Sequence, residues 1–348
     1  MKALTVVPNQ AGSTKLDDVE ESPASDGPVL VETLAVGVCG TDVEITSGNY
    51  GWAPPGRERL VIGHESLGRV REAPSGAPVA PGDLVVGIVR RPDPVPCANC
   101  AVGEWDFCRN GQYTERGIKE RDGYCSQHYR IEPDYAVKVD PSLGHLGVLL
   151  EPTSVLAKGW EQVDRIGGRA HWAPARALVT GAGPIGLLAA LLAVQRGLEV
   201  HVLDQVTSGP KPELVEGIGA KYHTGTVSDA CDQPDVVMEC TGVGSLVFDA
   251  MEHMGPGGVL CLTGLSSGGR SLGVDAGMLN RSMVLENEAV VGSVNANRRH
   301  YQAAADALAK ADKGWLVRMI SRKVPLEHFE DAFVRQPDDI KVVIEVGE

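Results

Sequence analysis

The segment Ala177-Leu-Val-Thr-Gly181-Ala-Gly183-Pro-Ile-Gly186 decides the fold of the second half of this 348-residue chain. Apolar residues 177–180 predict a buried strand, the glycines form a Gly-x-Gly-x-x-Gly turn, and residues 184–197 predict a helix. A second strand, 199–203, ends at Asp204, which lies 18 positions after Gly186. Strand, glycine turn, helix and strand together predict a βαβ unit of the doubly wound, Rossmann type, which binds a dinucleotide.

Each glycine of the turn has a separate physical task. Gly181 allows the tight turn, Gly183 lets the backbone approach a pyrophosphate, and Gly186 lets the helix pack closely on the strand. The unpaired N–H groups at the helix N-terminus attract the anion. The predicted dinucleotide contacts in this segment are Gly181, Gly183, Pro184, Ile185, Gly186 and Asp204.

The acid at the end of the second strand predicts which dinucleotide is used. The Asp204 carboxylate can accept both ribose hydroxyls of NAD, whereas the 2′-phosphate of NADP brings like charge against it. Residues 205–208 contain no arginine, and Lys211 is the only nearby cation. We therefore expect NAD to be preferred, with NADP as the alternative.

The remaining sequence predicts a second, β-rich domain. Short β-rich runs separated by glycine and proline turns indicate a twisted, barrel-like β structure before residue 150. These runs lie at 3–7, 28–36, 66–71, 83–89 and 136–139. Later strands at 236–239, 258–263 and 289–292 predict a parallel sheet covered by helices on both faces. A helix at 300–310 and a strand at 340–346 return to the composition of the first domain.

The predicted fold class is therefore α/β with two domains. The β-rich domain is expected at 1–153 and 294–348, and the Rossmann dinucleotide-binding domain at 154–293. A chain of this length agrees with two domains.

Charge and hydropathy exclude several classes of protein. Lys plus Arg number 32 and Asp plus Glu 46, so the net charge is 32 − 46 = −14, which disfavours nucleic acid and anionic membrane surfaces as partners. No apolar run reaches the ~20 residues of a spanning helix, and the N-terminus lacks a signal-peptide core. We expect a cytoplasmic protein with no membrane partner.

Three separated motifs carry residue types that bind a metal. They are Gly37-Val-Cys39-Gly-Thr41-Asp42, Gly63-His64-Glu65 and Leu150-Glu151-Pro152. With them the chain resembles, over nearly its whole length, the zinc-dependent medium-chain dehydrogenases of the alcohol dehydrogenase superfamily. The resemblance implies a GroES-like fold for the β-rich domain and a catalytic Zn²⁺ held by Cys39, His64 and Glu151, with a fourth position open. Thiolate, imidazole and carboxylate ligands agree with such a site.

The same resemblance assigns two further groups near that metal. Glu65 is expected to support the site or to exchange as a ligand, and Thr41 stands at the place of the family's proton-relay hydroxyl. An imidazole that follows three residues later in some alcohol dehydrogenases is replaced here by Glu44. The sequence leaves open whether the proton leaves through water or through Glu65.

A cysteine cluster resembles the loop that holds a structural zinc in this superfamily. Cys97-Ala-Asn-Cys100 is followed by Cys108, but the first of the four usual cysteines is missing. Asp93 offers the nearest oxygen ligand, so Asp93, Cys97, Cys100 and Cys108 are a chemically acceptable zinc set. Loss of this metal is the alternative.

Five segments resemble more specifically the glucose dehydrogenase branch known from archaea. They are Gly40-Thr-Asp-Val-Glu-Ile with Gly48-Asn-Tyr-Gly, Ala53-Pro-Pro-Gly, Tyr113-Thr-Glu115-Arg-Gly-Ile, Glu151-Pro-Thr-Ser-Val-Leu-Ala-Lys, and Gly292-Ser-Val-Asn295-Ala-Asn-Arg-Arg-His300. The likeness implies that Glu115, Glu151 and Asn295 contact sugar hydroxyls or lie beside them. It also implies dinucleotide contacts at Thr241, Leu265, Ser293 and Asn295.

These features predict a zinc-dependent NAD(P) oxidoreductase that oxidises an aldose, glucose first, at C1 to its lactone. The enzymatic alternative is oxidation of another polyol, a secondary alcohol or an amino-alcohol with the same residues. A non-catalytic dinucleotide-binding protein is the alternative from a different class, and the complete set of Cys39, Thr41, His64 and Glu151 argues against it. A homo-oligomer, a tetramer rather than a dimer, is expected from the family.

Overall fold

The structure of the protein is a computed structural model that describes residues 1–266, 268 and 271–347. The chain divides into two compact units, which are Met1–Ser154 with Asn295–Glu348, and Val155–Val294. The boundaries expected after residues 153 and 293 differ from these by one residue. Within the described ranges, no helix has the length and apolar character needed to cross a bilayer.

The N-terminal part of the first unit consists mainly of strands. In chain order its elements are β1 (Lys2–Val6), β2 (Lys15–Asp18), β3 (Val29–Gly37), α1 (Gly40–Thr46), β4 (Leu60–Val61), β5 (Glu65–Glu72), β6 (Leu84–Gly87), β7 (Arg90–Arg91), β8 (Thr114–Arg116), β9 (Glu120–Arg121), β10 (His128–Ile131) and β11 (Ala136–Lys138). Short 3₁₀ helices lie at Ala24–Asp26, Cys100–Val102, Trp105–Phe107, Pro133–Tyr135 and Pro141–Leu149.

The second unit alternates strands and helices. Helix α2 (Leu150–Gly167) starts before the boundary and is followed by β12 (Arg176–Thr180), α3 (Pro184–Gln195), β13 (Glu199–Leu203), α4 (Pro210–Gly217), β14 (Lys221–His223), α5 (Val227–Ala230), β15 (Val236–Glu239), α6 (Gly244–Glu252), β16 (Val259–Leu262), α7 (Ala276–Glu286) and β17 (Ala289–Gly292). Among the described residues the strands form one parallel sheet in the order β14-β13-β12-β15-β16-β17. The predicted doubly wound parallel sheet is confirmed.

The apolar run that opens the glycine segment explains the centre of this sheet. Ala177, Leu178 and Val179 in β12 have no exposed surface, as expected for a parallel strand covered on both faces. Helix α3 is buried along Gly186 to Ala193, so it is apolar all round rather than amphipathic. The predicted helix end at residue 197 is two residues late, because the chain leaves the helix at Arg196 and turns at Gly197 with φ +79°.

The C-terminal residues complete the first unit. They form α8 (Arg298–Lys310), α9 (Lys313–Met319), β18 (Ile320–Pro325), a 3₁₀ helix (Leu326–His328), α10 (Glu330–Phe333) and β19 (Lys341–Glu345). The main sheet has the order β11-β6-β5-β3-β19-β18, and β10 also pairs with β3. Strand β3 therefore lies between β5 and β19, and this arrangement brings residue 65 near residue 341.

Candidate metal, sugar and dinucleotide sites

Cys39, His64 and Glu65 come together at the ends of neighbouring elements of the first unit. Cys39 is the residue before α1, and His64 and Glu65 follow a turn in which Gly63 has φ +90°. One ligand atom from each of the three residues lies within 4.8 Å of the others. His64 is 5% and Glu65 1% exposed, whereas Cys39 is partly exposed.

Asp42 orients two of these residues. Its Oδ2 accepts a hydrogen bond from the backbone N–H of Cys39 at 2.9 Å, and its Oδ1 lies 3.3 Å from Nδ1 of His64. Burial would lower the pKa of His64, but the charge of Asp42, helped by Cys39, outweighs burial and raises the pKa well above its ordinary value. A carboxylate on one imidazole nitrogen fixes the ring so that the other nitrogen is left for a metal.

The carboxylate of Glu65 is held by a buried lysine. Lys341, on β19, places Nζ 2.7 Å from both Glu65 oxygens and 3.1 Å from the backbone oxygen of Val38. Gly37 lies on β3, the strand between β5 and β19, and is paired with Glu65. A Cβ on Gly37 would lie 2.1 Å from Oε2 of Glu65. The missing side chain at residue 37 therefore creates the space for this ion pair.

Glu151 opens α2 and is 7% exposed. Burial raises its pKa to about 7, with His64 opposing the rise and Glu65 adding to it. Its oxygens are not part of the group of ligand atoms from Cys39, His64 and Glu65 that lie within 4.8 Å of one another. A thiol, an imidazole and carboxylates around one small buried space fit a zinc ion, and Glu151 would need to lose its proton to bind it.

A second cluster is formed by the sulfur atoms of Cys97, Cys100 and Cys108, which lie within 4.8 Å of one another. Backbone N–H groups of Arg109 and Cys100 lower the pKa of Cys97 to about 6, whereas burial raises that of Cys100 to about 11. Asp93 is not part of this group. Its Oδ1 accepts from the N–H of Val95 at 2.8 Å, and its buried Oδ2 has no partner among the described residues.

The two residues expected at the sugar, other than Glu151, are in direct contact. Asn295 Nδ2 donates to Oε1 of Glu115 at 2.8 Å, although the residues are 180 positions apart in the sequence. Glu115 lies on β8 and is 8% exposed. Thr41 is the second residue of α1 and is half-buried.

The glycine turn of the second unit has the features of a dinucleotide cradle. Gly181 has φ +89°, and a Cβ on Gly186 would lie 1.8 Å from the carbonyl oxygen of Gly181. A Cβ on Gly183 would meet no protein atom within 4 Å, so this side of the loop is open. Pro184 and Ile185 begin α3 directly after it, and the fit to a dinucleotide pyrophosphate is good.

Asp204 is tied to that loop. Its Oδ2 accepts from the N–H of Ala182 at 2.7 Å and from Lys211 Nζ at 2.9 Å, and its Oδ1 accepts from the N–H of Val206 at 3.0 Å. Burial would raise the pKa of Asp204, but these hydrogen bonds outweigh burial, so the pKa is lowered. Lys211 is therefore a partner of this carboxylate and not merely a nearby cation.

Of the remaining expected dinucleotide residues, Thr241, Leu265 and Ser293 lie in the second unit, whereas Asn295 belongs to the first. Thr241 follows β15 and donates its backbone N–H to the buried carboxylate of Glu239 at 2.7 Å. Leu265 is 78% and Ser293 9% exposed. Their contacts with a dinucleotide stay predictions.

Comparison with known proteins shows which family the chain is similar to. The model described as glucose dehydrogenase C-terminus matches residues 144–346, and that of the alcohol dehydrogenase GroES-like domain matches residues 25–141. The glucose 1-dehydrogenase of Methanocella arvoryzae is 39% identical over 358 positions, covering 100% of both chains. That of Thermoproteus tenax is 39% identical over 353 positions, covering 99% of both.

The chain belongs to the glucose dehydrogenase family.

A solved structure agrees with this assignment. The glucose dehydrogenase of Haloferax mediterranei, in complex with NADP, zinc and gluconolactone, matches with a TM-score of 0.92 and 33% identity, covering 100% of both chains. The predicted GroES-like and Rossmann folds and the predicted resemblance are thereby confirmed.

In this member of the glucose dehydrogenase family, the roles of three charged residues at the candidate metal and sugar sites were not predicted from sequence. Asp42 was part of a quoted motif, but no role was assigned to it. Lys341 and Arg90 contact Glu65 and Glu115 from positions 276 and 25 residues away in the sequence. Arg90 had no signal in the sequence, because its contact with Glu115 depends on the pairing of the two-residue strand β7 with β8.

Proposed function

We propose that the protein oxidises an aldose, glucose first, at C1 to its lactone, with zinc and a nicotinamide dinucleotide. The observation that carries this proposal is the grouping of Cys39, His64 and Glu65 within 4.8 Å in one unit. It is supported by the glucose 1-dehydrogenase relatives and by the relative whose complex contains NADP, zinc and gluconolactone.

The first unit serves as the catalytic domain. Cys39, His64 and Glu151 would hold the zinc, with Asp42 orienting His64 and Lys341 holding Glu65. Bound zinc supplies a Lewis acid that stabilises negative charge on the substrate oxygen. Thr41 relays the proton that leaves this hydroxyl by passing its own proton on to water or to Glu65, and Glu115, with Asn295 beside it, binds a hydroxyl of the sugar. The second unit binds the dinucleotide that takes the hydride.

We infer that Asp204 gives NAD the advantage, while Lys211 makes NADP acceptable. The Haloferax relative was solved with NADP, which supports the opposite preference. The argument for NAD is the direct one that a 2′-phosphate must approach a carboxylate. Asp204→Ser is expected to raise the ratio of kcat/KM for NADP to that for NAD, and Lys211→Met to lower it. A wild-type kcat/KM higher with NADP would overturn the preference for NAD.

The proposed reaction is tested with a panel of aldoses, polyols, secondary alcohols and amino-alcohols, followed by the absorbance of reduced nicotinamide. Glucose is expected to give the highest kcat/KM, a chelator to abolish turnover, and added zinc to restore it. Faster oxidation of a non-sugar alcohol, with glucose inert, would refute the sugar assignment. Dinucleotide binding without oxidation of any substrate would refute the enzymatic role.

We also propose a homo-oligomer, a tetramer rather than a dimer. Light scattering coupled to size-exclusion chromatography measures the mass directly, and a monomer at micromolar concentration would refute it.

A further inference from the structure

All the hydrogen bonds that the Glu115 carboxylate accepts from the described residues go to one of its two oxygens. Oε1 accepts from Arg90 Nε at 3.0 Å, from Arg90 Nη2 at 2.9 Å and from Asn295 Nδ2 at 2.8 Å. Among the residues that the structure describes, Oε2 has no hydrogen-bond partner. The Glu115 side chain is 10% exposed. Oε2 is therefore an acceptor that the protein itself does not use.

Arg90 is fixed by more than this ion pair. It lies opposite Glu115 in the pairing of β7 with β8. Its guanidinium also donates to the backbone oxygen of Asp106 at 3.3 Å and stacks over the ring of Tyr113 at 3.8 Å. The arginine side chain is 6% exposed. A planar guanidinium held on three sides gives the carboxylate one orientation.

Asn295 is fixed in the same way. Its backbone is in the left-handed region with φ 60°, which asparagine tolerates better than most residues. Its Oδ1 accepts from the N–H of Ala296 at 2.7 Å, so its Nδ2 points at Glu115. A buried ion pair contributes little net stability. The main consequence of this arrangement is therefore that Oε2 of Glu115 has one orientation.

We propose that Arg90, with Asn295, is a positioning residue that commits Oε2 of Glu115 to a single hydroxyl of the sugar. The inference rests on the proposed function, since it names how that site selects a polyhydroxylated substrate. Arg90 acts through Glu115 and does not touch the reacting atoms. Its removal therefore changes recognition of one hydroxyl more than it changes the chemical step.

The chain contains a matched control beside Arg90. Arg91 lies on the same strand, is 4% exposed, pairs with Glu132 at 2.8 and 3.0 Å and stacks over Tyr135 at 3.7 Å. It has the same chemistry and a comparable burial, but no contact with Glu115 or Asn295. Arg90→Lys and Arg91→Lys therefore lose similar packing and differ in whether Glu115 is affected.

The experiment measures kcat and KM of wild type, R90K, R91K and E115Q on glucose and on its monodeoxy analogues. In wild type, one analogue lacks the hydroxyl that Oε2 binds and is expected to be a poorer substrate by roughly ten-fold or more. In R90K the KM for glucose is expected to rise by a similar factor, with kcat little changed, and the selectivity against that analogue is lost. R91K keeps the selectivity of wild type, and R90K/E115Q behaves like E115Q, because Arg90 acts through Glu115.

Equal selectivity in R90K and R91K, with wild type oxidising glucose, would overturn this inference and leave the proposed function intact. Failure of wild type on every aldose would overturn both. If R90K does not fold, Asn295→Ala removes the third donor from Oε1 while keeping the ion pair. Retention of full selectivity in N295A would then count against the proposal.

Discussion

At the scale of single residues, the buried carboxylate of Glu65 forms an ion pair with the buried cation of Lys341. Lys341 and Glu65 are 2% and 1% exposed and their charged groups lie 2.7 Å apart. Burial would lower the pKa of Lys341, but Glu65 and Cys39 raise it above its ordinary value. Lys341 therefore stays protonated at neutral pH, and its charge is compensated by the Glu65 carboxylate and by the backbone oxygen of Val38.

Lys341→Met is expected to destabilise the protein by about 3 to 5 kcal/mol, because it leaves the Glu65 carboxylate buried without a partner. Urea denaturation measures the free energy of unfolding. The control is Lys323→Met on the adjacent strand, where Lys323 pairs with Glu345 at the surface with 45% and 36% of the side chains exposed. That change is expected to cost at most about 1 kcal/mol. Equal losses in the two variants would contradict the argument.

The candidate zinc ligands Cys39, His64 and Glu151 were predicted from the resemblance to a family, whereas the contacts that support this candidate site could not be predicted from sequence. Cys39, His64 and Glu65 stand in short motifs whose chemistry is visible locally. The contact of Glu65 with Lys341 depends on β19 pairing beside β3, and on the absence of a side chain at Gly37. Neither a strand order nor an empty volume is encoded in a local pattern.

At the scale of elements, the loop that contains Cys97, Cys100 and Cys108 is fastened to a distant helix of the same unit. Glu104 receives two hydrogen bonds of 2.9 Å from Arg299 of α8, and Asp106 receives one of 2.9 Å from Asn297. Asn99 Nδ2 also closes the loop onto the backbone oxygen of Phe107 at 2.6 Å. A metal on the three sulfurs would stabilise a loop whose far side is already attached.

Cys100→Ala is therefore expected to lower the melting temperature more than it lowers the activity of the molecules that remain folded. A loss of roughly 5 °C or more is expected, since each kcal/mol shifts Tm by about 2 to 4 °C in a folding unit of about 150 to 250 residues, such as the unit Met1–Ser154 with Asn295–Glu348 that contains this loop. Metal analysis should fall from two zinc ions per chain to one. In the control, Cys125→Ala, a buried thiol outside both clusters is removed and the zinc content stays at two.

A single zinc ion in fully loaded wild type would show that the three thiols do not hold a second metal. Asp93→Ala separates the remaining possibilities for the fourth ligand. Loss of one zinc ion in this variant would support the prediction that Asp93 is the fourth ligand, and unchanged metal content would refute it.

Elements of the second unit could be predicted better than those of the first, for a physical reason. Strands at 199–203, 236–239 and 289–292 were predicted with the bounds that the structure shows, because parallel strands read as apolar runs. The two-residue strands β4, β7 and β9 have no such signal, since two residues are too few to show a periodic or apolar run. Arg90 and Glu115 meet on one of these short pairs.

At the scale of the whole molecule, the metal-binding candidates and the glycine turn belong to different compact units. Cys39, His64, Glu65 and Glu151 are within Met1–Ser154, whereas Gly181, Gly183 and Gly186 are within Val155–Val294. Among the described residues, the first unit contains three sheets and the second unit one, and each unit has its own buried residues. Local damage to the metal site is therefore expected to leave the fold of the dinucleotide unit intact.

Cys39→Ser and His64→Ala test this division of labour. Removing a metal ligand is expected to lower kcat on the order of a thousand-fold, because stabilisation of charge by zinc amounts to several kcal/mol. The affinity for the dinucleotide, measured by calorimetry, should stay close to that of wild type, since no residue of the glycine turn is changed. Cys231→Ser, a substitution of a buried thiol in the dinucleotide unit, is the control and should retain turnover. A parallel loss of dinucleotide affinity in C39S and H64A would show that the two units do not act independently, and full activity of metal-free protein would refute the zinc mechanism itself.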